Sequence, residues 1–202
     1  ELGSGWEGAT TGLKKVFDRV VTMDMVRQTI NPGTQTTPDF LTQFQTAKDK
    51  QGGLIDWIKR RAGIRKGELK AIWISPDCKE ETAAQAINRG KTWGKGLYAG
   101  KQRSPEAQAA LEAVVYGARE ETAKNPKVQV CLENPAVTAL SKEAMITEEW
   151  GVGETVTGCA YGAPTKKPYR LWMTPATRRR YTKVRIQPQD KASLCKICKG
   201  TH

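Results

Sequence analysis

Two apolar runs in this chain each lead into residues that a buried strand has no use for. Lys70-Ala71-Ile72-Trp73-Ile74 is followed by Ser75-Pro76-Asp77-Cys78, and Val128-Gln129-Val130-Cys131-Leu132 by Glu133-Asn134-Pro135. Short apolar runs bounded by turn formers predict buried strands. Between them, Ser104-Pro105-Glu106 opens a predicted helix over 104–122, with serine as N-cap, proline in the first turn and an acid at the positive helix end. Strand, helix and strand in this order point to βα units and away from all-helical or all-β folds. Ligands of open α/β sheets bind beyond the carboxyl ends of the strands. Residues 75–78 and 133–135 therefore stand where a site would form.

The remaining pattern agrees. Glu1-Leu2 reads as a strand end, Gly3-Ser4-Gly5-Trp6-Glu7-Gly8 as a glycine-rich turn, and residues 9–17 as a short helix. A second strand spans 19–24 and ends on Asp24. Residues 27–38 are loop-like, 54–61 helical, and 79–103 have the polar, glycine-bearing character of a mobile loop. After a short helical stretch, strands over 155–160 and 169–173 are joined by residues 162–168. Beyond Pro175 a basic, irregular extension is expected, giving a catalytic domain over 1–175 and an extension over 176–202.

A chain of 202 residues suffices for one α/β domain and a small appendage. Hydrophobic residues make up 38% and charged residues 27%, the composition of a soluble protein. No apolar stretch approaches the roughly 18–20 residues of a membrane span, so no membrane partner is expected. Five cysteines, three of them scattered, form no disulfide framework and read as reduced thiols of an intracellular protein. A start at Glu1 without methionine reads as a fragment or processed domain. Of the net charge of +12, residues 163–202 carry +10, with 11 Lys or Arg and one acid, Asp190. That concentration suits docking to nucleic acid, DNA favoured over RNA; a solvated basic tail is the alternative.

Gly3-x-Gly5-x-x-Gly8 has the spacing of a dinucleotide-binding turn, and Asp24 stands about 20 residues on, where an acid binds ribose hydroxyls. This spacing serves a nicotinamide cofactor and S-adenosylmethionine equally, and a plain tight turn also uses glycine. Asp39 is placed to bond an adenine amino group or to form an Asx-turn. Ser4, Met25, Phe40, Ser75 and Pro76 complete the expected cofactor surroundings. Cys78 narrows the choice. A thiolate at a strand end is a strong nucleophile, whereas Cys131 lies inside an apolar run and reads as core. Thiolate attack on C6 of a cytosine makes C5 nucleophilic, and Glu133 at the next strand end would serve N3 as proton donor. Asn134 would orient Glu133 or donate to the base. An inert Cys78 and a helix-capping Glu133-Asn134 are the structural alternatives.

In the same order, the chain resembles the class I cytosine-C5 methyltransferases: Gly3-x-Gly5, Asp24, Asp39, Ser75-Pro76-Asp77-Cys78, Glu133-Asn134-Pro135, then Gly162-Ala163-Pro164-Thr165-Lys166-Lys167-Pro168-Tyr169-Arg170. The resemblance spans roughly residues 1–173. It implies a Rossmann-like α/β fold with a mostly parallel sheet, an antiparallel terminal strand and helices on both faces. It also implies S-adenosylmethionine as cofactor, Cys78 as nucleophile, Glu133 at N3, and Arg170 and Lys167 on the target base or its phosphate. The chain departs from the family where Asp77 replaces proline, where Lys79-Glu80-Glu81-Thr82 follows the cysteine, and at Pro135. A carboxylate beside Cys78 raises the thiol pKa. Two further readings follow, a catalytically weakened nucleic-acid-binding module and a nicotinamide oxidoreductase of Rossmann type. The target-recognition domain is absent or reduced, so a separate one, or a larger polyprotein, is expected.

Lys166, Lys167, Arg178, Arg179, Arg180, Lys183 and Arg185 are the expected nucleic-acid contacts, with Tyr181 interleaved for stacking. Cys195-x-x-Cys198-x-x-x-His202 supplies three ligands at zinc spacing, with Cys159 a candidate fourth; a disordered terminus is the alternative.

Overall fold

The structure, a computed structural model, describes residues 12–23, 36–37, 43–45, 52–76, 105–157 and 168–184. These fall into two compact units, one within Glu1–Asp77 and Arg103–Leu132 and the other within Cys78–Gln102 and Glu133–His202.

In the first unit a helical turn over 12–17 precedes β1 (Thr22–Met23), which pairs in parallel with β2 (Thr36–Thr37). Helix α1 (Gly53–Arg61) follows the apolar pattern read in the sequence and buries Leu54, Ile55, Trp57 and Ile58. Asp56 stands in its first turn and Lys59, Arg60 and Arg61 in its last, each sign at the helix end it favours. Gly63, at φ 61°, lets the chain turn back: its N–H donates to the Arg60 carbonyl, and that of Ile64 to the Lys59 carbonyl. Strand β3 (Ala71–Ile74) alternates half-buried and buried side chains, as predicted over 70–74.

Helix α2 (Pro105–Lys124) buries Leu111, Val114, Val115, Ala118 and Glu121, a stripe of helical period. It crosses α1 closely at Gly117, where a Cβ would stand 3.0 Å from Ile55 Cγ1. An ion cluster ties the two helices, with Lys59 at 2.8 Å from Glu121 and 3.1 Å from Asp56, and Lys124 at 2.6 Å from Asp56. Burial pushes the Asp56 carboxyl up, but the hydrogen bonds and charges of Lys124 and Lys59 outweigh it and hold the pKa below its ordinary value. Strand β4 (Gln129–Pro135) runs parallel to β3, in register from Ala71 opposite Gln129 to Ile74 opposite Leu132. The parallel strands require a long crossover, and α2 lies within it. Cys131 is buried, as expected of a core residue.

Here the structure corrects one expectation. The sequence places Glu133 and Asn134 beyond the strand end, or in a helix cap, but β4 continues through both to Pro135. Their polarity suggests a turn, yet in a strand successive side chains alternate between faces whether or not they are polar.

The second unit holds a 3-10 turn (Ala139–Lys142), whose Thr138 side chain accepts from the Leu140 N–H, then α3 (Ala144–Trp150), β5 (Glu154–Thr157) and β6 (Pro168–Met173). β5 and β6 are antiparallel, with Thr155 opposite Arg170. The Ala136 N–H donates to the Pro168 carbonyl at 3.1 Å, so β6 begins beside the end of β4. The four strands β3, β4, β6 and β5 lie in that order in one sheet, which is mixed. The fold is mixed α/β.

A second correction concerns residues 175–184. Instead of irregular extension they form helix α4 (Pro175–Val184), while residues 185–202 lie outside the described residues. Thr174 caps it, its Oγ1 accepting from the Thr177 N–H at 3.3 Å and lying 2.7 Å from Thr177 Oγ1, and Pro175 takes the first helical position. The Thr-Pro signal is legible in the sequence; the run of cations after it reads as solvated tail and hides it.

Candidate functional site

Ser75 follows β3 with its side chain on the Trp73 side of the strand, and the Trp73 indole N–H donates to its Oγ at 2.9 Å. Ser75 and Pro76 are both half-buried. The first unit also carries an apolar cleft of about 570 Å³ between residues 13–23 and 64–73, floored by Ile55 and Ile58 and reaching Trp73. None of the candidate site residues among those described lines it.

In the second unit, Glu133 and Asn134 are consecutive in β4 and so point to opposite faces. Asn134 is 1% exposed and Glu133 half-buried. Arg170, on β6, is half-buried; its Nε is buried and has no hydrogen-bond partner among the described residues. A buried N–H lacking an acceptor is costly, and an anionic or carbonyl ligand would relieve it.

Gly153, which sequence reasoning missed, shapes the surroundings of Arg170. A Cβ there would stand 2.7 Å from Arg170 Cγ and 2.9 Å from two atoms of the Trp172 indole. Trp172 is buried and cannot yield. Gly153→Ala is therefore expected to cost about 1–3 kcal/mol by overpacking, read as a lower midpoint in urea unfolding. An unchanged midpoint would show that the β5–β6 pair opens freely. No signal in the sequence distinguishes this glycine from those of ordinary turns.

The three consecutive arginines separate. Arg178 Nη2 donates to the Trp150 carbonyl at 2.8 Å and to the Val152 carbonyl at 2.9 Å, fastening α4 to the turn after α3. Arg179 and Arg180 are exposed. Lys183 lies in the last turn of α4.

Gly3, Ser4, Gly5, Asp24, Met25, Asp39, Phe40, Cys78, Lys166, Lys167, Arg185, Cys195, Cys198 and His202 lie outside the described residues, as does Cys159. β1 ends at Met23, directly before Asp24, and β2 at Thr37, two residues before Asp39, with Met23 opposite Thr37 in parallel register. Among the described residues no group of three His, Cys, Asp or Glu is arranged to hold a metal, and no helix is long and apolar enough to cross a membrane. No family model matches the chain, and no curated protein matches it either.

Proposed function

We propose that this chain is an S-adenosylmethionine-dependent methyltransferase of the cytosine-C5 type acting on nucleic acid, with Cys78 as nucleophile and Glu133 assisting at N3. The observation that carries this reading is the β3–α2–β4 unit. Its strands are parallel and registered up to Ile74 and Leu132, and Ser75-Pro76-Asp77-Cys78 and Glu133-Asn134 come directly after that pair in sequence. Ligands of α/β sheets bind beyond the carboxyl ends of strands; residues 75–78 follow the end of β3, and Glu133-Asn134 lie on the part of β4 that runs on past β3.

S-adenosylmethionine, when bound, would supply an electrophilic methyl group. Its adenosine asks for acceptors towards ribose hydroxyls and an amino group, and Asp24 and Asp39 follow two adjacent parallel strands as such a pair. The chain's own residues carry the rest of the chemistry. The Cys78 thiolate adds to C6 of the cytosine, and the electrons of the C5–C6 double bond move to C5. Glu133, in its protonated form, donates at N3 and holds the ring in the reactive state. Arg170, with a buried Nε lacking a partner among the described residues, would meet the base carbonyl or a phosphate.

Isothermal calorimetry with S-adenosylmethionine and its demethylated product tests the cofactor. Binding of both is expected; no heat with either removes the methyltransferase reading. One observation favours a second reading, a binding module with weakened catalysis. Asp77 directly precedes Cys78 in the sequence, and a carboxylate near a thiol would disfavour its thiolate.

A further inference from the structure

Resting on the reading that nucleic acid is the substrate, we infer that α4 is a docking surface for the phosphate backbone of duplex DNA. Arg179 and Arg180 meet the phosphates, and Arg178 is withheld from them.

Helix α4 carries four cations and no acid along Pro175–Val184. Its inward face is set by helical spacing. Thr174 and Thr177 are buried, and Arg178 and Tyr181 half-buried, at positions i, i+3, i+4 and i+7. The first turn is tied down: Thr174 caps it, its Oγ1 also bonded to Thr177 Oγ1, and Arg178 grips two backbone carbonyls beyond α3. Close to that grip is Gly151, at φ 69°, where a Cβ would lie 3.9 Å from both terminal nitrogens of Arg178.

What this mounting leaves outside is a pair of adjacent guanidinium groups. Neither the Arg179 nor the Arg180 side chain has a hydrogen bond or ion pair among the described residues, and both are exposed. Two like charges side by side, on a helix with no neutralising acid, gain most from a polyanion that also releases counterions. Guanidinium groups suit phosphate oxygens through their fork of donors. Their support on a capped helix lowers the ordering needed on binding. Residues 163–202 as a whole carry 11 cations to one acid, the four of α4 among them.

The test is fluorescence anisotropy of the full chain with mixed-sequence duplex DNA, with RNA of matching sequence in parallel, over roughly 50–200 mM salt. Arg179→Gln combined with Arg180→Gln is expected to weaken binding to all DNA sequences alike. It should also reduce the slope of log affinity against log salt by about 1.8, some 0.9 for each phosphate no longer neutralised. Arg178→Gln is expected to lower the melting temperature and to leave that slope as it is. The inference is overturned if the unaltered chain binds neither polymer or binds RNA alone. It is equally overturned if the double variant keeps the slope, or if Arg178→Gln reduces it as much. Calorimetry with S-adenosylmethionine on the double variant separates the two proposals. DNA binding without cofactor binding sinks the methyltransferase reading alone, and cofactor binding without the slope change sinks only the α4 surface.

Discussion

Cys78→Ser is expected to abolish covalent trapping of nucleic acid that carries 5-fluorocytosine, while the unaltered chain forms an adduct that survives denaturing electrophoresis. The reason is chemical. In the proposed reaction, with S-adenosylmethionine supplied, once the thiolate has added to C6 and C5 has been methylated, the protein would be released only when the C5 proton departs and the carbon–sulfur bond breaks. Fluorine at C5 cannot leave as a proton does, so the adduct persists. A serine hydroxyl is far less ionised than a thiol at neutral pH and far less nucleophilic, so no adduct should accumulate. The same experiment on Asp77→Pro would show faster trapping if the neighbouring carboxylate slows the thiol. An adduct that persists in Cys78→Ser would place the nucleophile elsewhere and end the proposed assignment.

The largest expected loss of stability comes from Trp57→Ala. Trp57 is 0% exposed at the centre of the α1 face, with the Phe44 ring edge-on at 5.9 Å and the Arg61 guanidinium 5.0 Å from its own ring centre. Truncating a buried tryptophan leaves a cavity as well as losing burial, at about 3–5 kcal/mol. That is a fifth or more of the roughly 5–15 kcal/mol by which domains are stable. At roughly 2–4 °C per kcal/mol, the melting temperature should fall by about 6–20 °C. The Trp57 indole N–H is buried with no hydrogen-bond partner among the described residues. Trp57→Phe therefore forfeits no hydrogen bond and should recover most of the loss. Thermal melts followed by circular dichroism decide this; a loss below about 1 kcal/mol in Trp57→Ala would mean that α1 contributes little to the first unit.

Much of the first unit is legible in the sequence. The apolar spacing of Leu54, Ile55, Trp57 and Ile58, the run over 70–74 and the Ser-Pro-Glu start of α2 mark elements whose local propensity and burial agree. Reading fails where local chemistry and tertiary demand diverge. Glu133-Asn134 has the composition of a turn, yet pairing holds it in β4. Residues 175–184 have the composition of a solvated tail, yet α4 forms. Its helix is supported by a cap and by the grip of Arg178 on carbonyls 26 and 28 residues away in the chain. Gly153 and Gly117 are similar: what makes each necessary is a partner distant in sequence, Arg170 and Trp172 for one, Ile55 for the other.

The sequence by itself determined the α/β character, the order of chemically distinctive residues after the apolar runs, and the concentration of positive charge beyond residue 162. These follow from periodicity, composition and spacing, which belong to the chain alone. Only the tertiary structure decided which of three consecutive arginines is a fastener and which two are exposed. It likewise decided that Glu133 and Asn134 extend a strand, and that Arg170 keeps a buried Nε without a partner among the described residues. Those outcomes depend on which backbone carbonyls, rings and strand edges arrive next to each side chain, and folding brings them from positions far along the chain.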